Sequence, residues 1–215
     1  MNIHILAGGP LEYIPKLSDY CNGNVKWVGV DRGVFTLIEQ EILPYRAFGD
    51  FDSVTPNEWD IIEEKVSEIN RYTPEKDETD LELALNWAME QKPDLIRIFG
   101  ATGGRLDHFM GNVQLLINEE RLNDRIKIEI IDSQNTLSVV MPGTYPIDQD
   151  TSKDYVSFVP VSSVVENLTL IGFKYPLKNR NIFRGTTLCI SNELIQSSGT
   201  FSFTNGILMV IRSRD

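Results

Sequence analysis

Cysteine and basic residues are scarce in this sequence, and each shortage excludes a class of protein. The 215 residues include only Cys21 and Cys189, which lie far apart and have no His or Cys partner at metal-ligand spacing. Neither a disulfide framework nor a zinc site is therefore indicated. Lys and Arg number 20 against 31 Asp and Glu, a formal net charge of -11, and no stretch is dense in basic residues. We therefore expect no binding to nucleic acid, which requires concentrated positive charge.

Long apolar segments are also missing. No run of about 18 apolar residues occurs, so no transmembrane helix and no membrane partner are predicted. The N-terminus starts directly as a strand and lacks the basic and apolar regions of a signal peptide. We expect a soluble, cytoplasmic protein.

Residues 1–133 alternate short apolar runs with segments of helical period, at about one pair per 20 to 25 residues. This rhythm is typical of β-α units and predicts a three-layer α/β domain with a mostly parallel sheet. The predicted strands are Ile3–Ala7, Lys26–Val30, Tyr45–Phe48, Glu68–Tyr72, Leu95–Phe99 and Lys127–Ile131.

The sequence predicts where two helices of this domain begin. Thr55-Pro-Asn-Glu58 and Thr79-Asp-Leu-Glu82 each place a capping Thr three residues before a Glu, which is a capping box. A later helix, after Gly100–Arg105, is expected to bury one apolar face. That face comprises Leu106, Phe109, Met110, Val113, Leu116 and Ile117.

Residues 134–215 have a different sequence pattern, with short alternating runs of Thr, Ser, Val, Ile and Phe between glycines. We predict a second domain here, an antiparallel β-sandwich or barrel. Asn205-Gly206 stands between Gly199–Phe203 and Ile207–Arg212, which predicts a tight hairpin joining these two runs.

Acidic residues follow several of the predicted parallel strands. Asp31 follows the second strand, Asp50 and Asp52 the third, and Asp77 and Asp80 the fourth. In an open α/β sheet, ligands bind beyond the carboxyl ends of the strands, so these side chains are expected along one rim. The alternative is local: Asp is common in turns and stabilises the first turn of a helix.

Two features of this rim predict binding of metal and phosphate. Asp50 and Asp52 alternate along extended chain, so their carboxylates lie on one side and repel each other; Mg2+ or Mn2+ would relieve that repulsion. Gly103 and Gly104 allow the backbone to turn with its amides exposed before a helix N-terminus, which forms an anion site. The P-loop and dinucleotide fingerprints are absent, so a nucleotide would depend on these features.

Four motifs occur in the order and spacing found in the thiamine pyrophosphokinase family, which this chain resembles along nearly its whole length. They are Gly49-Asp-Phe-Asp-Ser53, Thr73-Pro-Glu-Lys-Asp-Glu-Thr-Asp80, Gly100-Ala-Thr-Gly-Gly-Arg-Leu-Asp-His108 and Ser191-Asn-Glu193. The resemblance implies transfer of a diphosphoryl group from ATP to the hydroxyl of thiamine, with release of AMP. It also implies a Mg2+-dependent homodimer whose active sites are shared between subunits.

The resemblance further implies roles for individual residues. Asp50, Asp52 and Asp80 resemble the metal-binding carboxylates, and Asp77 and Asp107 resemble other acidic members of the catalytic site. The residues assigned to the nucleotide are Lys76, Thr102, Gly103, Gly104 and Arg105. Those assigned to thiamine are Ser191, Asn192 and Asp31. Residues 1–133 would then bind ATP and Mg2+, and residues 134–215 would bind thiamine. Lys76 departs from the pattern, since several relatives carry Gln there, and its role is open.

Two other functions stay open on the sequence alone. A metal-dependent phosphohydrolase of haloacid-dehalogenase type also uses Asp-x-Asp after a strand, although there the pair follows the first strand. A non-catalytic thiamine or nucleotide sensor would need fewer carboxylates. For Ser191 and Asn192, a turn that serves only the fold is an equal alternative.

Overall fold

The chain divides into two units in the computed structural model, which describes residues 1–73, 75–123 and 126–215. The first unit comprises Met1–Leu115 with Arg125–Ser133, and the second comprises Leu116–Asp124 with Gln134–Asp215. Within the described ranges, no helix is both long enough and apolar enough to cross a membrane.

A parallel sheet forms the centre of the first unit, as the sequence predicts. Its strands are β1 (Asn2–Leu6), β2 (Val25–Val30), β3 (Arg46–Gly49), β4 (Ile69–Arg71), β5 (Leu95–Phe99) and β6 (Lys127–Ile131). Their order across the sheet is β4-β3-β2-β1-β5-β6, and each neighbouring pair is parallel. The order reverses direction between β1 and β5, which is where open α/β sheets bind ligands.

Helices cover both faces of this sheet. The α-helices in the described ranges are α1 (Arg32–Glu39), α2 (Pro56–Lys65), α3 (Asp80–Glu90), α4 (Leu106–Leu116) and α5 (Glu119–Asn123). Ala47 of β3 packs in one cluster with Val34 of α1 and Ile62 of α2. Its neighbour Phe48 lies 5.9 Å, between ring centroids, from Trp87 of α3. Adjacent strand residues point to opposite faces, so the first unit has three layers.

The predicted helix starts are confirmed. Thr55 and Glu58 form the reciprocal capping box of α2, with the Glu58 amide donating to Thr55 Oγ1 at 3.4 Å. Thr79 Oγ1 accepts a hydrogen bond from the Glu82 amide at 3.2 Å and caps α3. One apolar face of α3 is buried, and its residues are Leu81, Ala84, Leu85 and Ala88.

The apolar face predicted for α4 is wrong in its first turns. Leu106 is 78% exposed and Met110 is 54% exposed, whereas Val113 and Leu115 are buried. These first turns follow the Gly100–Arg105 loop and border an open cleft at the carboxyl edge of the sheet. Only the later turns are covered, so the helical period alone could not locate the buried part.

The second unit contains antiparallel strands of two sheets, which confirms the predicted all-β part. Their strands are β7 (Asn135–Val140), β8 (Gly143–Asp148), β9 (Tyr155–Pro160), β10 (Val164–Ile171), β11 (Leu177–Phe183), β12 (Ser198–Phe203) and β13 (Leu208–Ser213). In one sheet β13 pairs with β7 and β9, and a separate four-stranded sheet has the order β11-β10-β12-β8. Phe158 of β9 packs against Phe201 of β12 at 5.1 Å between ring centroids, so residues of both sheets share one core.

The hairpin predicted at Asn205-Gly206 is wrong. Strand β12 pairs with β10 and β8, whereas β13 pairs with β7 and β9, so this turn carries the chain from one sheet to the other. The polar groups of the turn bond to β10 and its approach. The Glu166 amide donates to the Asn205 carbonyl at 3.0 Å, and the Ile207 amide donates to Ser162 Oγ at 2.9 Å.

Candidate active site

A cleft of about 850 Å3 lies at the carboxyl edge of the parallel sheet, within the first unit. The segments that follow β1, β2, β3, β4 and β5 all contribute to its lining. Every site residue predicted in the first domain lines this cleft: Asp31, Asp50, Asp52, Lys76, Asp77, Asp80, Thr102, Gly103, Gly104, Arg105 and Asp107. Pro74, which belongs to the second family motif, lies outside the described residues. The rim predicted from strand ends is therefore present.

Three carboxylates come together in this cleft. Asp31 follows β2, Asp50 follows β3, and Asp80 is the first residue of α3. One carboxylate oxygen from each lies within 4.8 Å of the other two. We call these residues the acidic triad. Hard oxygen ligands at such spacing suit a small divalent cation.

Asp31 has an unusual backbone conformation. Its φ of 49° and ψ of -126° are rare for a non-glycine residue, and such conformations cluster at functional sites. The side chain forms no capping hydrogen bond to α1, although Asp31 precedes that helix. Its Oδ1 atom is buried and has no hydrogen-bond partner in the described part of the chain. The capping role left open by the sequence is therefore not what this carboxylate does.

Gly49 makes room for the Asp31 side chain. A Cβ atom at position 49 would collide with Asp31 Oδ1, and the φ of 152° at Gly49 also disfavours an L side chain. The absence of a side chain at the end of β3 thus lets the backbone approach a carboxylate closely.

The pKa of Asp31 is raised from 3.8 to about 7, mainly by burial. The charges of Asp80 and Asp50 contribute to this rise, while a hydrogen bond from the Phe51 amide opposes it. Desolvation and like charges both disfavour the ionised form. The Asp31 carboxyl is therefore buried next to the negative charges of the other two triad residues.

Asp52 lies beside the triad in a tight turn. Its backbone amide donates to Asp50 Oδ1 at 3.0 Å, while its side chain is exposed to the cleft. Between them Phe51 has a φ of 61° and is buried against Trp59, with 4.8 Å between ring centroids. This arrangement holds Asp50 toward Asp31 and leaves Asp52 as a separate carboxylate of the cleft.

Arg32 fixes the far end of the same turn. Its guanidinium donates to the Ser53 carbonyl at 3.2 Å and to Glu58 Oε1 at 2.8 Å. Glu58 Oε2 accepts from the Thr55 amide at 2.8 Å, so Arg32 is linked to the start of α2. Arg32 therefore braces the acidic turn against the start of α2.

Lys76 contacts the triad directly. Its Nζ lies 2.7 Å from Asp80 Oδ1, and the two side chains are only 14% and 17% exposed. This ion pair places one positive charge against the three carboxylates.

A glycine-rich loop forms the opposite wall of the cleft. Gly103 and Gly104 have φ values of 77° and 65°, which glycine adopts without strain. Thr102 Oγ1 is buried and has no hydrogen-bond partner among the described residues. Asn112 of α4 donates to the Ala101 carbonyl at 2.8 Å and anchors the loop.

Arg105 and Asp107 form an exposed pair at the start of α4. The guanidinium contacts both carboxylate oxygens, at 2.6 and 3.1 Å. Hydrogen bonding from Arg105 lowers the pKa of Asp107 to about 2, which makes this carboxylate a weak proton acceptor.

Sequence reasoning missed the segment after β1. Gly8 and Gly9 line the cleft, and the Gly9 amide donates to the Gly100 carbonyl at 2.9 Å. A Cβ atom at position 9 would collide with that carbonyl. The signal was available, because Gly8-Gly9-Pro10 directly follows a buried strand.

In the second unit, Ser191 and Asn192 differ in their freedom to bind a ligand. Asn192 is 2% exposed, and its side chain exchanges hydrogen bonds with both the amide and the carbonyl of Tyr175, at 3.0 and 2.9 Å. Ser191 is exposed, with a φ of 54°, and its amide donates to Ser157 Oγ at 2.9 Å. Asn192 therefore serves the local fold, while the Ser191 side chain faces outward.

Two family models match the chain. Residues 17–130 match the model described as thiamin pyrophosphokinase, catalytic domain, and residues 144–208 match the model described as thiamin pyrophosphokinase, vitamin B1 binding domain. The thiamine pyrophosphokinase of Bacillus subtilis (strain 168) is 54% identical over 213 residues, which is 99% of both chains. This chain belongs to the thiamine pyrophosphokinase family.

Solved structures of thiamine pyrophosphokinases agree with this membership. The Bacillus subtilis enzyme superposes with a TM-score of 0.94 at 51% identity, covering 100% of both chains. The Geobacillus thermodenitrificans enzyme gives a TM-score of 0.91 at 55% identity, covering 100% of this chain and 98% of the other. The similarity therefore extends through both units.

Membership of the thiamine pyrophosphokinase family removes support from the two other functions considered. The phosphohydrolase would carry its Asp pair after the first strand, but residues 7–10 after β1 are Ala-Gly-Gly-Pro. The acidic triad and Asp52 lie within the span matched by the catalytic-domain model. Ser191 and Asn192 lie within the span matched by the vitamin B1 binding model.

Proposed function

We propose that the protein transfers the diphosphoryl group of ATP to the hydroxyl of thiamine, giving thiamine diphosphate and AMP. The observation that carries this proposal is the acidic triad facing a glycine-rich loop across one cleft, in a chain of the thiamine pyrophosphokinase family. Diphosphoryl transfer depends on positioning and on charge neutralisation, and such a cleft offers both.

Asp31, Asp50 and Asp80 are the ligands we propose for Mg2+, with Mn2+ as an alternative. The residues fit a divalent cation because their carboxylate oxygens converge within 4.8 Å and Asp31 Oδ1 is buried with no hydrogen-bond partner among the residues that the structure describes. When bound, the cation would neutralise phosphate charge at the reacting group. Asp52, which the sequence places among the ligands, is proposed as a further ligand or as a carboxylate facing the substrate.

The nucleotide phosphates are proposed to lie on the loop formed by Thr102, Gly103, Gly104 and Arg105. The buried Thr102 hydroxyl, the turned glycine backbone and the N-terminus of α4 all offer hydrogen-bond donors to an anion. Lys76 would add a positive charge from the other side of the cleft.

A carboxylate that is not bound to metal would accept the proton of the thiamine hydroxyl. Asp52 and Asp77 are exposed residues of the cleft and are our candidates. Asp107 is less suited, because Arg105 lowers its pKa and reduces its basicity.

We propose that the second domain contributes to the thiamine site. This domain comprises residues 134–215 and follows a catalytic domain of residues 1–133. Ser191 offers an exposed hydroxyl, and Asn192 would hold the segment that presents it. Exposed apolar residues flank this segment, including Tyr175 and Ile190. They support a homodimer in which each active site is shared between subunits.

Phosphorus NMR of the products tests the proposed reaction. The protein is incubated with ATP, Mg2+ and thiamine, and we expect equal amounts of AMP and thiamine diphosphate. Stoichiometric ADP would indicate an ordinary kinase, and free phosphate a hydrolase; either would contradict the proposal. A reaction without thiamine is the control for hydrolysis of ATP.

A further inference from the structure

Lys76 brings a nearly buried positive charge into an acidic cleft. Its Nζ donates to Asp80 Oδ1 at 2.7 Å and to the Thr73 carbonyl at 3.5 Å. The same atom lies 5.3 Å from the centroid of the Tyr72 ring, within range of a cation–π contact. A carboxylate, a carbonyl and an aromatic ring therefore hold this ammonium in a defined position.

Lys76 places a positive charge of the protein next to the triad. Among the described cations that line the cleft, Arg105 is already bound to Asp107, and Lys76 is paired with a member of the triad. Asp80 therefore has two candidate cationic partners: Lys76, which binds it in this structure, and the divalent cation of the proposed function.

We propose that Lys76 is a built-in counter-cation that competes with the divalent metal for Asp80 and moves to a nucleotide phosphate when the metal–nucleotide complex binds. The inference rests on the proposed function, because it takes the acidic triad as the metal site. A lysine suits the role, since its ammonium is a point charge on a flexible four-carbon stem that can exchange one anion for another.

The proposal requires two affinities to change in opposite directions when the charge is removed. Without the ammonium, the triad attracts a free divalent cation more strongly, because a competing positive charge is lost. The nucleotide is bound less strongly, because its phosphates lose a cationic partner. A lysine that only oriented Asp80 would instead weaken metal binding when replaced.

The test measures both affinities in Lys76→Gln and in the wild-type protein. Free Mn2+ is followed by electron paramagnetic resonance, and binding of α,β-methylene-ATP with Mg2+ is measured by calorimetry. We expect the Kd for Mn2+ alone to fall by about tenfold, and that for the nucleotide analogue to rise by about tenfold, the size expected for one close charge. Neither measurement requires turnover.

The matched control is Lys16→Gln, which makes the same change of net charge outside the cleft, at an exposed lysine 4.0 Å from Asp19. It should alter neither affinity by more than about twofold, since exposed pairs contribute little. Lys76→Met provides a second variant without hydrogen-bonding groups, and circular dichroism checks that both Lys76 variants fold. Unfolding of both would show that Lys76 is structural and would overturn the inference.

Unchanged or weaker Mn2+ binding in Lys76→Gln would also overturn it. If the wild-type protein binds both probes and makes thiamine diphosphate while the variant shows no opposite changes, only the inference fails. If the wild-type protein binds neither Mn2+ nor the nucleotide analogue, the proposed function fails as well.

Discussion

Asp31 is the residue at which backbone, packing and charge combine to shape the site. Its carboxylate reaches the other two acidic side chains through a strained backbone conformation and through the space left by Gly49. Such a conformation costs on the order of 1 to 3 kcal/mol and persists only where the surrounding structure enforces it. A cation bound at the triad would offset this cost by balancing the charge.

Gly49→Ala tests whether that space is required. The new methyl group collides with Asp31 Oδ1, so we expect a loss of about 1 to 3 kcal/mol of stability and on the order of tenfold weaker Mn2+ binding. Thermal unfolding and Mn2+ titration provide the measurements. Gly23→Ala is the control: its φ is 85°, and a Cβ there has no neighbour within 4 Å. Equal Mn2+ affinity in both variants would refute the packing argument.

Asp31 and His4 should give opposite pH dependences of stability in the metal-free protein. Because the pKa of Asp31 is raised from 3.8 to about 7, the folded state holds this proton more tightly, and the free energy of unfolding falls as pH rises from about 4 to 7. Burial lowers the pKa of His4 from 6.5 to about 4, so the free energy of unfolding falls as pH drops across that interval.

Urea unfolding at pH 5 and pH 7 in the presence of EDTA separates the two residues. Compared with the wild-type protein, Asp31→Asn should lose more stability on acidification, because the compensating carboxylate is gone. His4→Phe should lose less, because no imidazole must be charged. The same pH dependence in all three proteins would show that neither group titrates as described.

Some features of the site residues could be predicted from the sequence, and others could not. The carboxylates after each strand were found because strand ends in a parallel sheet share one edge. The grouping of Asp31 with Asp50 and Asp80 was not foreseen, since it depends on a positive φ at position 31 that no pattern of residue types reveals. The role of Lys76 was left open because several relatives carry Gln there, and its ion pair with Asp80 became visible only in the structure.

At the scale of elements, local signals were reliable where the contact that matters is local. The capping of α2 and α3 was predicted because each cap joins residues three apart in sequence. The Asn205-Gly206 turn failed because its hydrogen bonds go to a strand about 40 residues away. Sheet assignment of β12 and β13 depends on such distant partners.

Variants of the capping residues of α2 and α3 separate an effect on stability from an effect on metal binding. Thr55→Ala and Thr79→Ala each remove a side-chain cap and should each cost about 1 kcal/mol, lowering the melting temperature by about 2 to 4 °C. Only Thr79 precedes a member of the triad, Asp80, so only its variant should also weaken Mn2+ binding. Equal Mn2+ affinity in the two variants would show that the start of α3 does not position Asp80.

At the scale of the whole molecule, the proposed shared site requires two intact halves from different subunits. Asp50→Asn and Ser191→Ala homodimers should each have low activity, the first through metal binding and the second through thiamine binding. Subunit-mixed samples should recover activity, because one of the two sites in a mixed dimer combines intact halves. No recovery in verified mixed dimers would show that each subunit builds its own site.

We propose that the acidic triad and the glycine-rich loop together hold the metal and the nucleotide. A crystal grown with Mn2+ and α,β-methylene-ATP, with diffraction recorded at the manganese absorption edge, tests it most directly. We expect an anomalous peak bounded by Asp31, Asp50 and Asp80, with the phosphates against Thr102–Arg105. An anomalous peak away from the triad, or phosphates bound elsewhere in the presence of the analogue, would contradict it.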